Sequence, residues 1–412
     1  MRLVPALSVS PSARVSDLIG RYADFLGDEV APLEAKLAEQ GVGTAWAPAL
    51  DQHGRMHPTV WEARREVQRR SAAAGLYTPH MPTEVGGGGL SRVEMMHVEE
   101  FIYRKAGLGL GLSSLAWTEG PSPNLVHLND AGKARFLAPL MAAETTCAFA
   151  NTEPAVGSDV MGMSTRAERD GDDWMITGHK GWITNAHYCD VAGIVAVTEP
   201  GAGSKSLTMF MVDANSPGFR RGVDYPTALD DGLTGELLLD RVRVTDDQRI
   251  GEVGQGLAMA LSWINWRRMC RGGMCAGWGR LLADRAIRRA KTRHSGGSPI
   301  AQLQAVQHML ADIDADVYAA RATSLLAQAE LDELGPYAVP LHPDAIRLIS
   351  LIALVNDEAF FRVADRALQV HGASGLSRNS VEEKMFRLAR NLKIPAGTVE
   401  IQRNGIARSL LR

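Results

Sequence analysis

Lys393-Ile394-Pro395-Ala396-Gly397-Thr398-Val399-Glu400-Ile401-Gln402-Arg403, near the C-terminus, is the stretch on which the reading of this chain turns. Its centre, Ala396-Gly397-Thr398, has no ionisable side chain. Upstream, Gln369-Val370-His371-Gly372-Ala373-Ser374-Gly375 reads as a helix-ending loop, with His371 structural and Gly372 allowing another group close to the backbone.

Between Gly256 and this tail, apolar residues recur at helical spacing. Ile300, Leu303, Val306, Leu310, Ile313 and Val317 form one stripe, and Leu348, Ile352, Val355, Ala359 and Val363 another. Long helices packing into a bundle follow. The segment from Asp332 to Pro343, with Pro336 and Pro340, is a helix connection. From Cys147 to Val244 the period drops to two, in Trp174-Met175-Ile176, Ile194 to Val197, Leu207 to Val212 and Glu236 to Val244, which predicts a small antiparallel β domain. The first part is helical, with amphipathic stretches at Trp61 to Ala74 and Ser91 to Lys105 and a tetraglycine, Gly86 to Gly89, read as a flexible turn. The expected architecture is α+β: an N-terminal helical domain over 1–145, a middle β domain over 146–252 and a C-terminal four-helix-bundle domain over 253–412.

With 412 residues, 45% of them hydrophobic, the chain can bury a large core. A net charge of -3, from 44 basic and 47 acidic residues, argues against nucleic acid or an anionic membrane surface as partner. Cys147, Cys189, Cys270 and Cys275 lack metal-ligand spacing, and no long apolar run or leader is seen. A soluble, cytoplasmic protein with reduced thiols and no metal is expected.

Four motifs resemble those of the acyl-CoA dehydrogenase family across nearly the whole chain. Phe149-Ala150-Asn151-Thr152-Glu153-Pro154-Ala155-Val156-Gly157-Ser158-Asp159 is similar to the family's Thr-Glu-Pro loop. The likeness implies flavin contacts from Phe149, Asn151 and Thr152, and a Ser158 near both cofactor and the CoA portion of the substrate. Lys180-Gly181-Trp182-Ile183-Thr184-Asn185 resembles the segment that sets a Trp and a Thr against the isoalloxazine, although a Trp alone in such a strand reads equally as sandwich core. Arg293, with Pro299 to Gln307 and Gln304 within it, is similar to the element that reaches the FAD pyrophosphate of a neighbouring subunit, but Gly296-Gly297 stands where Phe-Gly is usual. Gln369, Val370, Gly372 and Ala373, with Thr398 and Glu400, complete the implied FAD site, and Arg387 and Arg390 fall where the family is basic. The resemblance thus implies FAD, an acyl-CoA thioester, an electron-accepting flavoprotein and a homodimer or homotetramer.

The chemistry is where the chain departs. The family removes an α-proton with a Glu that commonly precedes the Gly-Thr pair, and here that position is Ala396. Some members place the Glu instead on a helix, just before an Arg. In Ser262-Trp263-Ile264-Asn265-Trp266-Arg267-Arg268-Met269-Cys270-Arg271, the nine-residue spacing from Arg268 to Gly277 aligns Arg268 with that Arg and leaves Arg267 at the Glu position. General base catalysis contributes about 10² to 10⁴ in rate, and Arg cannot accept the proton. By residues alone this helix packs its Trp rings inward and turns its Arg residues to solvent. By the resemblance, Asn265, Arg267, Arg268 and Gly397 join Ser158 as substrate-facing residues, with Arg267 and Arg268 binding a thioester carbonyl or an acyl carboxylate. Asn151 also replaces a common apolar residue, and His187 reads as an exposed loop His.

Three functions are consistent with this pattern: an atypical FAD-dependent dehydrogenase of CoA thioesters, an oxidase or monooxygenase in which reduced flavin meets O₂, and a non-catalytic subunit whose partner supplies the base.

Overall fold

The computed structural model describes residues 9–335 and 343–412, so Pro336 and Pro340 of the expected connection lie outside it. In the first part, Ser91 caps the helix Arg92–Ala106 through a capping box with Glu94. The helix Pro58–Ala73 ends before Gly75, where the Leu76 N–H bonds back to the Ser71 carbonyl at 2.9 Å. The tetraglycine is a turn, but a fastened one. The N–H groups of Gly87, Gly88 and Gly89 donate to the carbonyls of Pro82, Thr78 and Met81 at 2.9, 3.1 and 2.9 Å, which replaces the flexible turn expected from glycine content.

The expected strands lie within Asp173–Thr184, Val191–Val197, Leu207–Asp213 and Thr234–Val244. Alternation decides their faces: Leu237, Leu239, Val242 and Val244 are buried against Trp174, Ile194, Phe210 and Val212. The sheet is mostly antiparallel rather than wholly so, because Cys147–Ala150 runs parallel to Val191–Val197. Between these two strands the chain crosses over through the 151–165 loop and a hairpin, so both run the same way.

The last part contains the helices Gly256–Met269, Arg271–Thr292, Gln304–Glu333, Pro343–His371, Val381–Leu392 and Val399–Leu410. The two apolar stripes face inward at Val306, Ile313 and Val317 and at Leu348, Ile352, Ala359 and Val363. Leu303 does not; it precedes the first residue of its helix and is half exposed. No helix among the described residues is long and apolar enough to cross a membrane, and the four cysteines are free and buried.

The helices Arg92–Ala106 and Arg271–Thr292 approach closely over Gly277, where an added Cβ would lie 2.5 Å from the Glu100 carbonyl oxygen. Gly277→Val should therefore destabilise the protein by about 1–3 kcal/mol through overpacking. Urea unfolding measures this, and an unchanged midpoint would contradict the contact.

Candidate active site

The loop expected to meet a cofactor is built on a buried ion pair. Glu153 accepts hydrogen bonds from the Ser164 and Thr165 N–H groups, both at 2.8 Å, and from Lys180 Nζ at 3.1 Å. Burial would raise its carboxyl, but Thr165, Lys180 and Ser164 outweigh that and hold it at about 2. Lys180 also donates to the Asn151 carbonyl at 3.1 Å, and the Gly181 N–H donates to the Thr152 carbonyl at 3.1 Å. This stitching sets Asn151 and Thr152 beside the strand that carries Trp182, Ile183 and Thr184.

Trp182 sits at a register shift of that strand with φ 60° and its ring 55% exposed, stacked on Tyr225 at 4.2 Å. A bulky residue in left-handed backbone with its ring in solvent is a costly arrangement, of the kind found at functional sites. The reading of Trp182 as sandwich core is thus overturned; Ile183 takes the core position instead. Ser158 is exposed, and Asn151 is buried with its Oδ1 unpartnered. Phe149 stacks on Trp263 at 4.1 Å with planes 8° apart, joining the β part to the helix Gly256–Met269.

That helix holds the tail. Arg268 Nε donates to the Ala396 carbonyl at 2.7 Å, and its Nη1 donates to Asn265 Oδ1 at 2.9 Å. Gln402 Nε2 donates to the Gly397 carbonyl at 2.9 Å and to that of Ala396 at 3.3 Å. Gly397 has φ 91°, and a Cβ there would lie 2.6 Å from Arg268 Nη2, so both backbone and space demand glycine. Thr398 then caps the helix Val399–Leu410, and Glu400 stands exposed in its first turn. Burial first, then the neighbouring Arg271, pulls the Arg268 guanidinium down to about 10, with Asp357 opposing.

Arg267, Arg268 and Arg271 are all buried, against the solvent-facing alternative. Arg271 pairs with Asp357 at 3.1 Å. Arg267 lies over the rings of Trp117 at 4.9 Å and Trp266 at 5.1 Å, and its Nη2 has no partner. His80 stacks on Trp266 at 4.8 Å. Glu99, on the helix Arg92–Ala106, is buried beside Gly273 and interacts with Arg267 and Cys270. Burial pushes its carboxyl up to about 7 against Cys270 and Arg267. The sequence reading missed Glu99, His80 and Trp117. Glu99 had a signal: it shares a helix face with the apolar Met95 and Ile102.

The other expected cofactor residues form a second group. Arg293, Gln304, Gln369, Gly372 and Ala373 are exposed around the ends of the helices Arg271–Thr292 and Pro343–His371, with Val370 buried below. Gly296 and Gly297, at φ 60° and 87°, form the tight turn between the strands His294–Ser295 and Ser298–Pro299. No described hydrogen bond, ion pair or ring contact links this group to the Phe149 and Trp182 group. His371 is structural as expected, its Nδ1 2.8 Å from the Ala367 carbonyl. His187 is corrected: its side chain is 7% exposed and its Nε2 lies 2.8 Å from Asp224 Oδ1. Arg387 donates to Asp230 at 2.7 Å, while Arg390 is exposed.

Because Glu99 binds its proton more tightly folded than unfolded, its stabilising contribution is complete below pH 4.5 and is lost as pH rises toward about 7. Glu99→Gln should therefore gain on the parent protein between about pH 5 and pH 8, by on the order of 3 kcal/mol. Denaturant unfolding at both pH values checks this; a pH-independent difference would contradict it.

The chain is similar to known proteins over most of its length. The chain matches three family descriptions: "Acyl-CoA dehydrogenase, N-terminal domain" over residues 16–144, "middle domain" over 148–242 and "C-terminal domain" over 254–411. It is 30% identical to a 3-(aryl)acrylate reductase of Clostridium sporogenes, over 85% of this chain and 91% of that protein. It is 32% identical to a cyclohex-1-ene-1-carbonyl-CoA dehydrogenase of Syntrophus aciditrophicus, over 82% of this chain and 81% of that one. The structure of a glutaryl-coenzyme A dehydrogenase in complex with glutaryl-CoA superimposes with a TM-score of 0.82 at 27% identity, covering 98% and 96% of the two chains. The chain belongs to the acyl-CoA dehydrogenase family.

Proposed function

We propose that the chain is an FAD-dependent oxidoreductase acting on an acyl-CoA thioester, with proton transfer handled by neither of the carboxylate positions its relatives use. The observation that carries this reading is the 2.7 Å hydrogen bond from Arg268 to the Ala396 carbonyl. It fixes the tail beside the helix Gly256–Met269 and leaves a methyl group at one base position and the Arg267 guanidinium at the other.

The residues present fit a flavin. The exposed Trp182 ring offers a flat apolar face, Asn151 Oδ1 is a buried acceptor without a partner, and Thr152 and Thr184 add hydroxyls. Phe149, stacked on Trp263, and Ile183, in the β core, stand next to these segments, with Thr398 and Glu400 at the tail helix. The exposed Arg293, Gln304, Gln369, Gly372 and Ala373, over Val370, suit the diphosphate and adenosine half of a neighbouring subunit's FAD. A homo-oligomer is part of this proposal. When bound, the flavin would take two electrons from the acyl group and pass them to a flavoprotein acceptor or to O₂. The exposed Ser158 would meet the CoA portion, and Arg268, with Asn265, would keep Gly397 in place beside the thioester. The CoA-thioester assignment draws on the dehydrogenase relatives named above.

Purified protein should be yellow, and a folded, colourless preparation that takes up no added FAD would defeat the reading. Turnover of acyl-CoAs with an artificial acceptor, set against O₂ uptake and labelled-oxygen incorporation, separates dehydrogenase from oxygenase. Inactivity of the flavin-loaded homo-oligomer with both would point to a partner-supplied base. Ala396→Glu should raise dehydrogenation by less than about 10², the lower end of what a positioned base contributes, because Arg267 and its Trp neighbours reshape the pocket. A larger gain would show that only the base was lacking.

A further inference from the structure

The two adjacent arginines are not equivalent. Arg268 is committed to the Ala396 carbonyl and to Asn265. Arg267 has its Cζ 4.9 and 5.1 Å from the Trp117 and Trp266 rings, while Nη2, on its edge, is buried and unpartnered. The edge of a guanidinium is where a carboxylate docks, in a bidentate and planar arrangement. A buried cation with an unsatisfied N–H is costly, and the site adds a second unpartnered buried donor, Trp117 Nε1.

The groups facing Arg267 do not cancel its charge. Tyr103 and His80 approach it; burial lowers His80 to about 4 and raises Tyr103, so both stay neutral. Cys270 is likewise held as a thiol by burial. Glu99 is the one carboxyl identified beside it, and its raised proton affinity keeps a large neutral fraction near pH 7. The result is a cluster of buried donors, one residue along the helix from the Arg268 clamp on the tail. An apolar acyl chain there would leave Nη2 unpaired, whereas an acyl carboxylate reaching it would satisfy it.

We infer that the substrate is a short acyl-CoA whose acyl group carries a carboxylate, received by the edge of Arg267. This rests on the CoA-thioester reading above and sharpens it to a substrate class. Calorimetric titration of the FAD-loaded protein with succinyl-CoA and butyryl-CoA, acyl groups of equal carbon count, tests it. Succinyl-CoA should bind at least about tenfold more tightly, the scale of a charge-assisted hydrogen bond. Arg267→Met should reduce that ratio to near one, and Arg267→Lys, which keeps the charge without the fork, should retain part of it. Equal affinities in the parent protein, or a preference that survives Arg267→Met, would overturn the inference and leave the CoA-thioester reading intact. Failure of both thioesters to bind would remove that reading and the inference with it. If Arg267→Met does not fold, the parent comparison and the Lys variant decide.

Discussion

The site depends on one buried cation. Arg268 ties two parts of the chain 128 residues apart, the helix Gly256–Met269 and the Ala396–Gly397 turn, through a 2.7 Å hydrogen bond. Without it the turn itself would keep the Gln402 hydrogen bonds, and the residues on either side would keep the pairs of Lys393 and Arg403 with Glu358. The bond is directed to a backbone carbonyl, so it does not depend on which side chain occupies position 396. That is the physical reason a familiar turn can persist after its carboxylate is gone.

Buried charge is used in two ways here. Glu153 with Lys180 and Arg64 with Glu119 are mutually compensated pairs that lock elements together. Breaking such a pair by removing one partner typically costs about 3–5 kcal/mol, so they act as fasteners. Arg267 is different: it lies beside two aromatic rings, and its Nη2 is buried without a partner. The same low-dielectric setting that makes the fasteners strong makes an unpaired buried donor costly until an acceptor meets it.

Much of this was legible in the sequence. Helix and strand periods placed the three parts because each buried face repeats along its own element, as Leu348, Ile352, Ala359 and Val363 do. The motif around Trp182 and the tail around Ala396 were readable because local backbone demands, a bulge and a left-handed Gly397, leave local marks. The surroundings of Arg267 were not. Trp117 and Glu99 reach it across some 150 residues of chain, and no short pattern encodes such a contact. The parallel pairing of Cys147–Ala150 and the burial of His187 against Asp224 likewise depend on residues outside any short pattern, whereas the tetraglycine is fastened locally, by carbonyls of Thr78, Met81 and Pro82, which glycine content does not reveal.

The central claim is that flavin binding has been retained while the family's proton-abstracting carboxylate has not. Loss of the α-hydrogen from a bound acyl-CoA into D₂O, followed by NMR with the FAD-loaded protein, measures this most directly. The account predicts α-proton wash-out slower by about 10² to 10⁴ than in a family relative that keeps the Glu, the proton leaving through a group at neither of the two positions. Wash-out as fast as in that relative would mean that a fully competent base stands at the α-carbon, and would contradict it.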